Sequence, residues 1–428
     1  MSNGYSAGFP LTAYPARFHR EAAPTWLAAI LNARGVVAPA VTGTSWCEIG
    51  CGQGLDTLIL AATNPGMQFW GIDFDPDHID RAERMARAAG LENAHFLQAD
   101  IRDANALAGL PSQFDFIIQH GIYSWVSPDI QAALRHFAAS RLAPGGALMV
   151  QYISQPGAGL FLALQSMLAA LGGPDRSVAD RIRILRDMAA AGAGFFAQYP
   201  HASAVLDRLK DEDPALVAHE YLGAGVSAFS AHEMIAAHAA LGLSYIGAAR
   251  AMENYDSVSL PARTQPLIAA EPDAALREVL RDTARNQHIR YDIYQRGPRL
   301  MTAEERMIAA QSRRYLALPG LPAPGPVTFR SAIGPVDGDG AIFRPLLALL
   351  SKGEAGFMDL AQALDGQAGI AEQALMMLMD AGAVHPMRTD SAGDAGDHPA
   401  RLIAALADGA KAPNLRIESR IGSAFPGL

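Results

Sequence analysis

The chain contains only two cysteines, Cys47 and Cys51, and both fall around one turn with no second Cys/His pair at zinc spacing. That scarcity excludes a disulfide framework, leaves both thiols expected as reduced, and points to a cytoplasmic compartment. Basic residues are also short: 34 Lys and Arg against 43 Asp and Glu give a formal charge of −9. A broad phosphate-binding surface needs the opposite balance, so nucleic acid is not an expected partner. Met1–Pro10 lacks a basic region followed by an apolar run, and no stretch of about 20 apolar residues occurs anywhere. Neither a standard export signal nor a membrane span is expected. No acidic cluster with metal-ligand spacing stands out, and no metal dependence is expected.

What is present is apolar material in quantity. Half of the 428 residues are hydrophobic and 18% are charged, enough to offset the entropy of ordering two or three domains. From Thr44 onward, short β-rich runs alternate with helical ones, the pattern of a parallel α/β sheet. Strands are predicted at Ser45–Ile49, Gln68–Ile72, Ala94–Gln98, Phe114–Gln119 and Ala147–Tyr152. Helices are predicted at Leu55–Thr63, Pro76–Ala89 and Asp129–Leu142, with Asp75 as a cap, Pro76 at a first helical position and Gly90 as a stop.

The pattern predicts a Rossmann-like domain over 1–158 and a mainly helical domain over 159–318. A Pro- and Gly-rich linker follows over 319–340, and a small winged-helix-like domain of three short helices over 341–428. Thr389–His398 reads as a mobile loop. The second helix of the last domain, Gly369–Ala381, has a Leu and Met stripe but no Lys or Arg, which suits packing or a partner surface better than DNA.

The chemistry sits at the strand ends. Ser45–Ile49 runs into Gly50-Cys51-Gly52-Gln53-Gly54, where missing Cβ atoms permit positive φ and close approach of a ligand to the backbone. Glu48 places a carboxylate where a cationic amino-acid group pairs with it. Asp73 ends the second strand at the spacing of a ribose binder, followed by Phe74. Asp100, followed by Ile101, ends the third and suits an adenine amino group. A dinucleotide fold wants Gly or Ala three places after Gly52, but that position is Leu55. Three acids on one edge also disfavour phosphate, and together they suit S-adenosylmethionine, which is cationic at sulfur and has no phosphate.

Glu48–Gly54, Gly71-Ile72-Asp73, Gln98-Ala99-Asp100 and Leu142-Ala143-Pro144-Gly145-Gly146 resemble, in order, the motifs of class I S-adenosylmethionine-dependent methyltransferases. More narrowly, Ala13-Tyr14-Pro15, His120–Val126 and His219-Glu220-Tyr221-Leu222 resemble bacterial methyltransferases with a methyltransferase regulatory domain, a group that includes rickettsial protein-lysine methyltransferases. The resemblance covers most of the chain and implies a catalytic domain, a helical middle domain and a winged-helix-like C-terminal module. Departures occur at Tyr152–Gly157, where the family often has Tyr-Asn before Pro-Gly, and at Asn286–Arg290, in place of Asn-Arg-x-Phe-Arg.

His120, Tyr123 and Trp125 follow the fourth strand, where an aromatic face, a hydroxyl or an imidazole can serve methyl transfer; Tyr14 joins them through the resemblance. Tyr123 has the alternative of packing its loop, and Trp125 that of plain core. The expected enzyme transfers methyl to a protein or small-molecule acceptor, protein lysine being favoured by the resemblance. A small-molecule O- or N-methyltransferase and a cofactor-binding adaptor without turnover are the alternatives, and a homodimer is left open.

Overall fold

The computed structural model describes residues 17–103, 106–172, 176–222, 226–389, 395–407 and 414–427. Its centre is a seven-stranded sheet: β1 (Ser45–Ile49), β2 (Gln68–Asp73), β3 (Ala94–Gln98), β4 (Phe114–Gln119), β5 (Leu142–Ile153), β6 (Leu243–Ala248) and β7 (Ile289–Arg296), in the order β3-β2-β1-β4-β5-β7-β6. The first five strands run parallel, and β7 is antiparallel to both β5 and β6. The order reverses between β1 and β4, which makes the crevice beyond their carboxyl ends the natural ligand position.

Helix α1 spans Pro24–Ala33, α2 Leu55–Thr63, α3 Pro76–Ala89 and α4 Pro128–Arg141. The start of α3 is built as its sequence dictates: the Asp75 carboxylate accepts from the Asp77 N–H at 2.9 Å, Pro76 opens the helix, and Gly90 ends it at φ +68°.

Alternation along the strands sends side chains to two faces. Trp46, Phe69, Phe116 and Met149 meet Trp26 and Leu27 of α1 on one face, and the C-terminal residues Leu347, Leu375 and Met379 continue the same core. Cys47, Ile72, Ile117 and Leu148 pack with Ile130 and Leu134 of α4 on the other. Both buried indoles find acceptors, Trp26 on the Ala249 carbonyl at 2.7 Å and Trp46 on that of Ala22 at 3.0 Å. Among the described residues no helix is long and apolar enough to cross a membrane.

Two expectations are corrected, and a third is narrowed to one of its alternatives. The sheet does not end with its fifth strand near residue 158, because β6 and β7 extend it from within the stretch read as helical. The rest of that stretch is helical at Gly159–Ala170, Val178–Ala190, His201–Leu209, Pro214–Leu222, Ala231–Ala239 and Ala274–Arg285, and Phe161, Leu164, Ile182 and Leu206 form its own core. The Pro- and Gly-rich stretch is not irregular throughout, since Val327–Ser331 and Gly334–Gly338 pair as an antiparallel hairpin. The Leu and Met stripe of helix Ala368–Asp380 is core: Leu375 to Met379 are all buried. Of the segment read as a mobile loop, residues 390–394 lie outside the described residues.

The two added strands hold a buried ionic network. Arg290 on β7 donates to Asp292 at 2.8 Å, Asp282 at 2.6 Å and Glu278 at 2.9 Å, and to the Tyr245 hydroxyl at 2.8 Å. Tyr152 on β5 donates to the second oxygen of Asp292 at 2.8 Å. Burial pushes the Asp282 carboxyl up to about 7 against the pull of Arg290. Removing one member of such a set leaves uncompensated buried charge, at a cost of about 3–5 kcal/mol. Arg290→Met is therefore expected to lower the urea midpoint by a corresponding amount; a midpoint within error of the parent chain would show that the network adds nothing to stability.

Candidate active site at the carboxyl edge of the sheet

The turn after β1 is tied to its neighbour by backbone bonds. Gly50 and Cys51 both donate to the Ile72 carbonyl, at 2.8 and 3.1 Å, and the Gly52 N–H donates to Asp73 Oδ2 at 2.8 Å. Gly54, which caps α2, has φ +74°, and a Cβ there would stand 2.6 Å from the Phe96 ring and 2.9 Å from Ala82. A side chain is thus excluded both by conformation and by space. A Cβ on Gly50 would meet Ile122 at 2.9 Å, so the loops after β1 and β4 touch directly over the crevice. Cys51 is buried beside them.

The three acids stand at the ends of adjacent strands β1, β2 and β3, in unlike states. Glu48 is buried and accepts from the Thr57 hydroxyl at 3.0 Å; burial, with Asp56 and Asp73 nearby, raises its carboxyl well above the usual range. Asp73 is also buried, and its Oδ1 accepts from the Asp75 N–H at 3.0 Å and lies 3.5 Å from His78 Nδ1. Asp100 is gripped by Arg102, whose Nε and terminal nitrogen approach the two carboxylate oxygens at 3.0 and 2.6 Å, and Arg102 reaches on to Asp129 at 2.7 Å. Phe74 presents an exposed ring beside Asp73, and Ile101 is buried next to Asp100.

At the end of β4 the neighbours of His120 come from distant parts of the sequence. Its ring stacks on His19 with centroids 3.6 Å apart, and Tyr291 of β7 lies 5.7 Å away on centroids. The Arg250 guanidinium sits 4.6 Å over Tyr291. His19 is fixed by Asp56 in the first turn of α2, which accepts from its backbone N–H at 3.0 Å and lies 2.8 Å from Nδ1. Burial, with His19 and Arg250 close by, pushes the His120 imidazole well below its ordinary range, so it stays neutral. Its Nε2 is buried with no hydrogen-bond partner among the described residues.

The other aromatic candidates do not join this group. Tyr123 packs on the opposite face of the sheet, with Phe229 and His238 as ring neighbours and its hydroxyl bound to Arg135. Trp125 meets Phe161 edge to face at 6.5 Å, beside the core of the middle helices. Tyr14 lies outside the described residues. Four residues that sequence reasoning missed, His19, Asp56, Arg250 and Tyr291, instead surround His120. A lone His and scattered charged residues offer no local signal, and only the fold brings them together.

Comparison with known proteins agrees with this geometry. Residues 41–180 match a methyltransferase domain family, and residues 213–296 match a family described as a predicted methyltransferase regulatory domain. The second match contains β6 and β7, so the region of that name supplies two strands of the central sheet. An uncharacterized protein of Synechocystis sp. is 29% identical over 383 residues, covering 87% of this chain and 75% of that protein. The malonyl-[acyl-carrier protein] O-methyltransferase of Paenibacillus sp. is 32% identical over 80 residues, 19% of this chain and 29% of that enzyme. The structure of PKMT2 from Rickettsia typhi in complex with AdoHcy superposes with a TM-score of 0.73 at 19% identity, covering 96% of this chain and 86% of that one, a likeness of fold. The chain thus carries the domain of an S-adenosylmethionine-dependent methyltransferase over residues 41–180, followed by a match to a predicted methyltransferase regulatory domain over residues 213–296.

Proposed function

We propose that the chain methylates a nucleophilic side chain of another protein, with lysine as the acceptor. The observation that carries this reading is the convergence of Glu48, Asp73, Asp100 and His120 on the carboxyl ends of four adjacent strands around a glycine turn. The sequence resemblance to bacterial protein-lysine methyltransferases and the fold shared with PKMT2 support the acceptor class. In the same reading, the helices Gly340–Leu350, Phe357–Gln362 and Ala368–Asp380 belong to a winged-helix-like module that handles partners rather than DNA, and the enzyme works in the cytoplasm.

The residues on the rim fit the cofactor. When bound, S-adenosylmethionine supplies an electrophilic methyl carbon on a cationic sulfur. Gly50, Cys51, Gly52 and Gly54 would leave room for it against the backbone, Glu48 would pair with its ammonium group, and Asp73 would accept from ribose hydroxyls. Asp100 would accept from the adenine amino group, with Phe74 and Ile101 as apolar neighbours. His120, at the end of β4, would serve the methyl side, where its water-poor surroundings would keep an acceptor lone pair available. Tyr14 belongs to the acceptor side in this scheme through the sequence resemblance, whereas Trp125 and Tyr123 serve packing, beside the middle helices and on the opposite face of the sheet.

Three measurements test these assignments. Incubating the chain with methyl-labelled S-adenosylmethionine and a total bacterial protein extract is expected to yield labelled methyl-lysine on hydrolysis. Label found only in small molecules would replace lysine with a small-molecule acceptor, and binding without any transfer would make the chain an adaptor. Asp73→Ala should weaken S-adenosylhomocysteine binding at least tenfold by calorimetry, since a hydrogen bond to a charged group contributes about 1.5–3 kcal/mol, while the far-ultraviolet dichroism stays that of the parent. Unchanged affinity would remove Asp73 from the site.

Glu48 sets a pH dependence. Burial, with Asp56 and Asp73 nearby, raises its carboxyl above the usual range, and pairing with the ligand ammonium would favour the ionised form, so binding is linked to release of a proton. Affinity for S-adenosylhomocysteine should therefore rise with pH above the ordinary carboxylate range, and Glu48→Gln should flatten that slope. A parent chain whose affinity is constant above that range contradicts the assignment.

A further inference from the structure

Beyond the cofactor rim, the residues around His120 form a site of their own. Asp56 is buried, with 4% of its surface exposed, and holds His19 through two contacts, the backbone N–H at 3.0 Å and Nδ1 at 2.8 Å. A carboxylate engaged with one imidazole nitrogen fixes the ring and leaves Nε2 as the working nitrogen. The ring so fixed lies flat on His120 at 3.6 Å, and His120 has a buried Nε2 that none of the described residues satisfies. A buried polar atom left without a partner destabilises the free chain, and a ligand bound at that atom would relieve the loss. Two imidazoles therefore meet at the edge where the acceptor must arrive, one oriented by a carboxylate and one awaiting a partner.

We propose that His19, backed by Asp56, is the base that takes the proton from the acceptor nitrogen, and that His120 Nε2 holds that nitrogen in place. This rests on the methyltransferase reading and assigns its acceptor side. For an ammonium acceptor, one N–H proton passes to His19 Nε2 and the N–H bonding pair becomes a lone pair on nitrogen. That lone pair forms the new bond to the methyl carbon, and the pair of the breaking carbon–sulfur bond stays on sulfur. The proton, held on the His19 imidazolium beside Asp56, then leaves to solvent.

The surrounding charges suit this division. His19 faces Asp56 from α2, Glu21 and Arg17 from its own segment, and His120 from the end of β4. Burial lowers its affinity for a proton, but Asp56 and Glu21 more than offset that, and the net effect is a raised value. His120 lies between His19 and the Arg250–Tyr291 pair, and burial, with His19 and Arg250 close by, lowers its affinity for a proton. The Arg250 guanidinium opposes the ammonium form of an entering amine, which makes its proton easier to remove. Asp56 is a positioning residue, and His19 and His120 are the groups that touch the acceptor.

The test uses the full chain with histidine labelled for nuclear magnetic resonance and saturated with S-adenosylhomocysteine. One imidazole should titrate above the ordinary histidine value, vanish from the spectrum of His19→Gln, and return toward the ordinary value in Asp56→Asn. Transfer of label from S-adenosylmethionine into a bacterial protein extract should rise with pH through that titration. His19→Gln should lose that limb and about a hundredfold in rate, with S-adenosylhomocysteine affinity unchanged. Asp56→Asn should shift the limb to lower pH. A His19 imidazole that titrates at or below the ordinary value, or a His19→Gln chain that transfers label at the parent rate, overturns the proposal. Failure of the parent chain to bind S-adenosylhomocysteine would instead overturn the methyltransferase reading beneath it.

Discussion

The carbonyl of Ile72 accepts two backbone N–H groups from the turn after β1, and Asp73, the next residue, accepts a third. These bonds lock the glycine turn to the end of β2, and the rest of the rim takes its position from them. Ala99 donates to the Asp73 carbonyl at 2.9 Å, which carries the same registration across to β3 and sets Asp100 and Ile101 beside it. Ile122 closes over Gly50 from the β4 side. A ligand at this edge meets a surface whose backbone is already fixed, so little ordering remains to oppose binding.

The electrostatics of that surface differ from a count of its acids. Three carboxylates on one edge suggest a strongly negative rim, and that repulsion was the ground for preferring a ligand without phosphate. In the folded chain Glu48 is driven toward its neutral form by burial and by Asp56, while Asp100 is paired with Arg102. Much of the charge expected from the sequence is therefore suppressed or compensated. The preference against a dinucleotide rests more firmly on shape. Leu55 occupies the place where such a fold needs a small residue, and it is buried in the core beneath the turn.

Much of the sheet was legible because its signals are local. Apolar runs of five or six residues, the Asp75-Pro76 start of α3 and the Gly90 stop each act within a few residues of themselves. The strands β6 and β7 escaped for a physical reason: Arg290 and Asp292 are buried in β7 but satisfied by each other, so the strand reads as polar. The cofactor rim was equally legible, since each of its acids follows a strand. The acceptor side was not. Tyr123 lies three residues from His120 in sequence, yet a short 3₁₀ turn carries it to the opposite face. Tyr291 sits far along the chain and arrives beside His120 through the antiparallel register of β7 on β5, which places it opposite Gln151.

That register also explains why the later parts of the chain matter to the site. Arg250 lies just beyond β6 and stacks on Tyr291, and the residues after it form a 3₁₀ turn over Ala251–Asn254. The N–H groups of Ala251 and Met252 are held at 2.8 and 2.6 Å by Asp380, the last residue of a helix in the C-terminal region. Burial pushes the Asp380 carboxyl up to about 7, and the two backbone donors and Arg20 oppose that push. Arg20 in turn donates to the Asp380 carbonyl at 2.7 Å, one residue after His19. The segment that carries His19 and the turn that carries Arg250 are thus fastened to the same C-terminal residue. The catalytic sheet supplies His120, but the placement of its neighbours depends on contacts made by the whole chain. The end of α2, the helix that follows the cofactor turn, is held by the same region, since Asn64 donates to the Gly422 carbonyl at 2.9 Å and Arg388 to that of Thr63 at 2.8 Å, so both sides of the site lean on the C-terminal part of the chain.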